Sequence, residues 1–309
     1  MAEQARDAAR KLSCLPPAVK NAALERMPEA LLAHSDRVLA ANRRDLEAAK
    51  ESALLSAMID RLTLTSARIM AMADALLTIA RLEDPVGEIV RMWRRPNNLQ
   101  VGLMRVPIGV ICVVYESRPN VTADAAGLCL KSSNAVILRG GSEAFHSNRA
   151  IAAVLASAAE EAGAPRECIQ LVPTQDRQAI FELLKHDELI DLVVPRGGEA
   201  LIRTVLENTR IPVIRHEKGL CHTYVDGEAD LEMAASVAFN AKVQRPSVCN
   251  AMETLLVNRD VAEQFLPVIG ARLKAAGVEI RGCPATCKLL PEAVPATPAD
   301  WGTEYLDLI

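Results

Sequence analysis

The run VPIGVICVVY, Val106 to Tyr115, decides the fold. It is continuous, apolar and rich in β-branched residues, the texture of a strand buried on both faces of a parallel sheet. Working downstream, further short apolar runs follow: AVIL (135–138), CIQLV (168–172) and LIDLVV (189–194). Ala-rich stretches with helical spacing separate them, at 148–162 and 175–184. Alternating strand and helix means an α/β sheet with right-handed crossovers. PVIRH (212–216) and HTYVD (222–226) are expected to add two short strands. A helix at about 229–242, a strand METLLV (252–257) and a helix from about 259 to 275 complete the pattern.

Upstream, residues 2–80 read as helices, with starts at Ser35-Asp36 and at Thr63 or Thr65. Residues 86–109 alternate apolar and polar side chains around Pro96-Asn97-Asn98, which predicts a hairpin over 85–106. The final TPADWGTEYLDLI closes on an apolar, strand-like piece with no polar tail, so the chain is expected to be a piece of a longer one.

Composition narrows the function. A length of 309 residues allows two domains. Net charge is −4 and only 3% of residues are aromatic, which leaves neither the electrostatics nor the stacking platforms for nucleic acid. No apolar run approaches bilayer length, and the charged N-terminus lacks a signal-peptide centre, so a cytoplasmic protein without membrane contact is expected. The eight cysteines are irregularly spaced and read as reduced thiols. Cys283 and Cys287 have no second pair or histidine nearby, so no metal site is expected.

Four motifs carry chemistry. In QRPSVCNAMETLLV (244–257), Cys249 stands between a Pro-bearing polar turn and a strand. Arg245 and Lys242 just upstream would favour a thiolate. The competing reading is a small buried hydrophobe. LRGGSEA (138–144) and VVPRGGEALI (193–202) each put a Gly-Gly pair after an Arg at the carboxyl end of a strand, before a helix. Open α/β sheets bind nucleotides there, with backbone N–H groups turned to phosphate. Plain tight turns are the alternative. VYESRPNVTADAA (114–126) leaves the most apolar strand through Arg118, Asn120 and Thr122, of which Asn120 is either a ligand group or a helix cap. Among the five histidines, His216 is the one placed nearest a site.

Taken together, these segments resemble the gamma-glutamyl phosphate reductase family of the aldehyde dehydrogenase superfamily. The likeness rests on the 106–144 segment, DLVVPRGGEALIR, CHTYVDGEAD and NAKVQRPSVCNAMETLLV, in the family's order and spacing, and on ARKLSCLPPAVKNAALERMPEAL near the start. It implies an aldehyde-dehydrogenase-like fold, a Rossmann-type parallel-sheet domain plus an α/β catalytic domain whose C-terminal part is incomplete. The expected domains are an NADP-binding 1–228 and a catalytic 229–309.

The implied reaction is NADPH-dependent reduction of L-glutamyl 5-phosphate to L-glutamate 5-semialdehyde and phosphate, in proline biosynthesis. Cys249 matches the family's nucleophile, and a thiolate displacing phosphate leaves a thioester that accepts hydride readily. Asn120 or Asn240 would supply an amide to the oxyanion. The hydrolytic relatives' water-activating glutamate falls at His216, beside Glu217. NADP would lie on Arg139, Gly140, Gly141, Ser142 and Glu143, and on Pro195, Arg196, Gly197 and Gly198, with the Arg139 fork suited to a 2′-phosphate. Arg118 and Arg245 would hold the substrate's phosphate or carboxylate, and the longer form is implied to be a homo-oligomer. The alternatives are another acylating aldehyde dehydrogenase, an inactive nucleotide-binding fragment and a cysteine hydrolase.

Overall fold

In this computed structural model, the described residues are 1–51, 56–116, 118–215 and 219–309. They form two compact units, Met1–Arg215 and His216–Ile309. The sequence placed the boundary later, after residue 228. It comes earlier because the strand at Cys221–Val225 pairs with Met252–Val257 and so belongs to the second body.

The first unit opens with helices α1 (Ala2–Leu12), α2 (Pro17–Ala33), α3 (Ser35–Glu51), α4 (Ser56–Leu62) and α5 (Ser66–Arg81). Thr65 caps α5, its side chain accepting the Arg68 N–H at 3.2 Å. The hairpin follows as antiparallel β1 (Ile89–Arg94) and β2 (Gln100–Met104), turning through Asn98 at φ 65°. Then come β3 (Val110–Tyr115), α6 (Asn120–Lys131), β4 (Ala135–Gly140), α7 (Phe145–Glu161), β5 (Ile169–Leu171), α8 (Gln178–Leu183), β6 (Leu192–Arg196) and α9 (Glu199–Glu207).

The sheet runs β5-β4-β3-β6, all parallel. Every residue of β3 is buried, as its unbroken apolar run requires. The register makes Tyr115 level with Gly140 on one side and with Arg196 on the other. Both Gly-Gly loops therefore leave the sheet at the same height, flanking the end of β3. The order also places the topological switch between β3 and β6, where open α/β sheets take ligands.

Among its described residues, 212–215, PVIRH gives a bridge, Val213 to Val193. Pro212 has no N–H, and the pairing reduces to Val193 N–H donating to Pro212 O and Ile214 N–H donating to Val193 O.

The second unit holds β7 (Cys221–Val225), α10 (Leu231–Val243), β8 (Met252–Val257), α11 (Arg259–Ala275), β9 (Arg281–Gly282), α12 (Pro284–Leu289) and β10 (Val294–Pro295). β7 and β8 are parallel, joined across α10, and β9 pairs with β10. Its core gathers Val225, Ala235, Ala238, Met252, Phe265 and Ile269. Residues 303–309, expected to be strand-like, form no strand. Instead the Leu308 carbonyl accepts the Glu279 N–H at 2.8 Å.

Candidate active site

Cys249 sits where the sequence put it, in the turn between α10 and β8, with its residue exposed. The turn is closed on itself by Ala251 N–H donating to Val248 O at 3.0 Å. Its anchor on β7 is a contact that the sequence did not announce. The half-buried Cys221 thiol donates to the Cys249 carbonyl oxygen at 3.3 Å. The Gly219 backbone lies against the same oxygen, so close that a Cβ there would stand 2.8 Å from it. Glycine is needed at 219 for this approach. The motif CHTYVD gave no signal for it, because the contact joins residues far apart in sequence.

Lys242 does not serve the thiol as expected. Its ammonium lies 3.2 Å from Glu253 Oε2, and the two side chains are 3% and 2% exposed. The other Glu253 oxygen accepts the Leu306 N–H at 3.1 Å. Arg245 is exposed, as is Asn240 near the end of α10. His216 and Glu217 lie outside the described residues.

In the first unit, the loop after β4 carries Arg139, Gly140, Gly141, Ser142 and Glu143. Arg139 is buried rather than presented as an open fork. Its guanidinium donates to Gly140 O at 2.6 Å and to Gln175 O at 3.1 Å, and its Nε is without a hydrogen-bond partner among the described residues. Burial lowers the guanidinium's pKa, opposed by the nearby Glu143 carboxylate. Gln175 Nε2 returns a bond to Ser142 O at 3.3 Å, lacing the β4 and β5 loops together.

At both loops a carboxylate of this chain takes N–H groups that the sequence reading offered to a phosphate. At α7 the first free N–H groups are taken by Asp45 of α3, which accepts from His146 N at 3.0 Å, Ser147 N at 2.7 Å and Ser147 Oγ at 2.6 Å. At α9 the Gly198 N–H donates to Glu116 Oε2 at 3.0 Å. A Cβ on Gly197 would stand 2.5 Å from the Glu116 carboxyl carbon, so the glycine makes room for that acid. Each helix N-terminus thus already holds a carboxylate, which satisfies the orphan donors as an anion would. Pro195 is buried and Arg196 exposed; the Arg196 carbonyl accepts the Glu116 N–H at 3.1 Å.

Asn120 is the first residue of α6, exposed, with Nδ2 donating to Asp124 Oδ2 at 3.2 Å. Burial raises the Asp124 pKa, and that bond opposes the rise. Arg118 is exposed beside it. Thr122 lies inward instead, bonded to the Tyr115 hydroxyl at 2.6 Å and to Asn148 Oδ1 at 3.1 Å.

The geometry supplies an exposed cysteine at the turn before β8 and, separately, two level loops at the ends of β4 and β6. The family model described as "Aldehyde dehydrogenase family" matches residues 1–283. The chain belongs to the aldehyde dehydrogenase family. Within that family it is similar to the gamma-glutamyl phosphate reductase of Geobacter metallireducens, 54% identical over 309 residues, covering 100% of this chain and 74% of that protein. The Moorella thermoacetica protein of the same name is 56% identical over 307 residues, covering 99% and 73%. Among solved structures, the Thermotoga maritima gamma-glutamyl phosphate reductase superposes with a TM-score of 0.95 at 44% identity, covering 100% of this chain and 74% of that one. As an aldehyde dehydrogenase the chain is an oxidoreductase working with a nicotinamide cofactor and a small-molecule substrate. No helix among the described residues is long and apolar enough to cross a membrane.

Proposed function

We propose that the protein reduces L-glutamyl 5-phosphate to L-glutamate 5-semialdehyde with release of phosphate, the second step of proline biosynthesis. The observation that carries this is the match to relatives of that name along the whole chain. The exposed Cys249 supports the chemistry, since an acyl transfer needs an accessible thiolate. Its sulfur attacks the acyl carbon, the bond from that carbon to the phosphate oxygen breaks, and phosphate leaves a Cys249 thioester. The Cys249 N–H and the amide of Asn240 or Asn120 are the candidate donors to the oxyanion formed on attack.

The residues present fit a dinucleotide. The switch point, the two level loops and the laced Arg139–Gln175 corner match the place and polarity such a ligand needs. When bound, the reduced nicotinamide cofactor is the source of the hydride. Gly140, Gly141, Ser142 and Glu143 would hold it on the β4 side, and Pro195, Arg196, Gly197 and Gly198 on the β6 side. We assign NADPH over NADH from the family resemblance alone, since Arg139 is buried and donates to Gly140 O and Gln175 O rather than presenting an open fork to a 2′-phosphate. Glu143 at the same loop favours a free ribose hydroxyl, so a comparison of KM for the two cofactors decides the assignment.

Arg118 and Arg245, both exposed cations, are assigned to the substrate's anionic ends. Alanine at either should raise KM for phosphate, and an unchanged KM removes that role. The eight free thiols suit the cytoplasm. A homo-oligomer is inferred from the hairpin, which exposes Met92, Trp93, Leu103 and Met104. A monomer by light scattering would reject it.

The test runs the reaction backward, with pyrroline-5-carboxylate, phosphate and NADP, following the absorbance of the reduced cofactor. Phosphate-dependent turnover that Cys249→Ala abolishes is the expected result. Turnover that survives in the variant, or that coenzyme A supports in place of phosphate, rejects the reading.

A further inference from the structure

We propose that Lys242 and Glu253 are positioning residues that set the Cys249 turn; this rests on the reading of Cys249 as nucleophile. Lys242 is the last residue but one of α10 and Glu253 the second of β8, so their ion pair at 3.2 Å closes the turn that carries Cys249. A bulge explains how the acid reaches inward. The β7–β8 register passes from Cys221↔Met252 to His222↔Thr254 and leaves Glu253 without a partner on β7. Bulges re-aim a side chain, and here the carboxylate meets Lys242 with one oxygen and the Leu306 N–H with the other.

Stability is a poor reason for this pair. Apolar side chains of like volume commonly hold a core as well as a buried ion pair does, whereas removing one partner alone is costly. What the pair supplies is a fixed distance between the two ends of the turn. The second anchor is the Cys221 thiol on the Cys249 carbonyl, at the residue where the register breaks. Ends and middle are then both held. The peptide following the nucleophile cannot rotate without breaking the Cys221 bond or pressing on Gly219.

The test compares Lys242→Met, Glu253→Leu and the double variant with the parent. Thermal midpoint, kcat, KM and the iodoacetamide alkylation rate of Cys249, resolved by peptide mass spectrometry, are measured for each. The single variants should lose thermal stability. The double variant should regain it, yet keep at least a tenfold fall in kcat and in the Cys249 alkylation rate, with KM within twofold. A double variant that recovers kcat and alkylation along with the melting midpoint overturns the proposal. Should the double variant not fold, Glu253→Leu is compared with Glu253→Gln, which can still hydrogen-bond, at a temperature where both are folded, and a Leu variant that alkylates at the parental rate overturns it too. Alkylation reports the geometry of the turn whether or not Cys249 is the nucleophile, so failure of that reading, seen as activity in Cys249→Ala, is distinguishable.

Discussion

Asp45→Ala should be among the most damaging single changes in the Met1–Arg215 unit. The side chain is buried, and its carboxylate accepts three hydrogen bonds at the first turn of α7. A bond to a charged acceptor is worth about 1.5–3 kcal/mol. A carboxylate at a helix N-terminus adds up to about 2 kcal/mol. Three bonds sharing one group are not additive, and the variant recovers the cost of burying the charge, so the net loss comes to about 3 kcal/mol. For a body of this size that lowers the melting midpoint by about 6–12 °C. Asp45→Asn keeps one acceptor oxygen and loses the charge, and should cost about half as much. Urea unfolding by circular dichroism measures the total, and hydrogen exchange of α7 peptides locates it. A loss below about 1 kcal/mol for the alanine variant, or unchanged α7 protection, would refute the argument that Asp45 holds this helix end.

Gly219→Ala should lower kcat at least tenfold, because the new Cβ would stand 2.8 Å from the Cys249 carbonyl oxygen and the turn must shift; parental kcat counts against the close approach. Glu116→Gln removes a negative charge from the start of α9 and should lower KM for a dinucleotide several-fold, at about 1 kcal/mol of dipole interaction, while a raised KM would make Glu116 itself a ligand group. Burial pushes the thiols of Cys112, Cys129 and Cys168 up to about 12. Their folded pKa values exceed the ordinary thiol value of 9.0, so the stability they contribute is full below about 9 and is lost as pH rises from there towards about 12. Urea midpoints should fall over that window, and a flat profile contradicts the burial. The same three thiols should resist iodoacetamide at pH 8 while the exposed Cys14 and Cys249 react.

Where local pattern and local contact coincide, the sequence was a sufficient guide. METLLV became β8 and the 259–275 periodicity became α11 with the same bounds. The apolar run of β3 also announced its burial on both faces. The loops were legible as places but not as chemistry. Nothing near residues 138–147 shows that Asp45 fills the start of α7, nor does anything near Gly198 name Glu116, since both contacts bridge long stretches of chain. Lys242 misled for a different, local reason. A lysine seven residues before a cysteine suggests a charge for the thiolate, whereas the bulge at Glu253 turns an acid towards it. PVIRH misled through composition, as Pro212 cannot extend the ladder its neighbours favour.

The level register of β3 has a mechanical consequence. Tyr115 is the common datum from which the loops after β4 and β6 are both measured. Their sequences are free to drift separately, because each hangs from its own strand. Their relative height is not, since a slip of β3 by one residue would carry it past both neighbours at once and turn its inward side chains to the opposite face. Substitutions inside β3 should therefore disturb the two loops in concert, whereas substitutions within either loop should leave the other at rest.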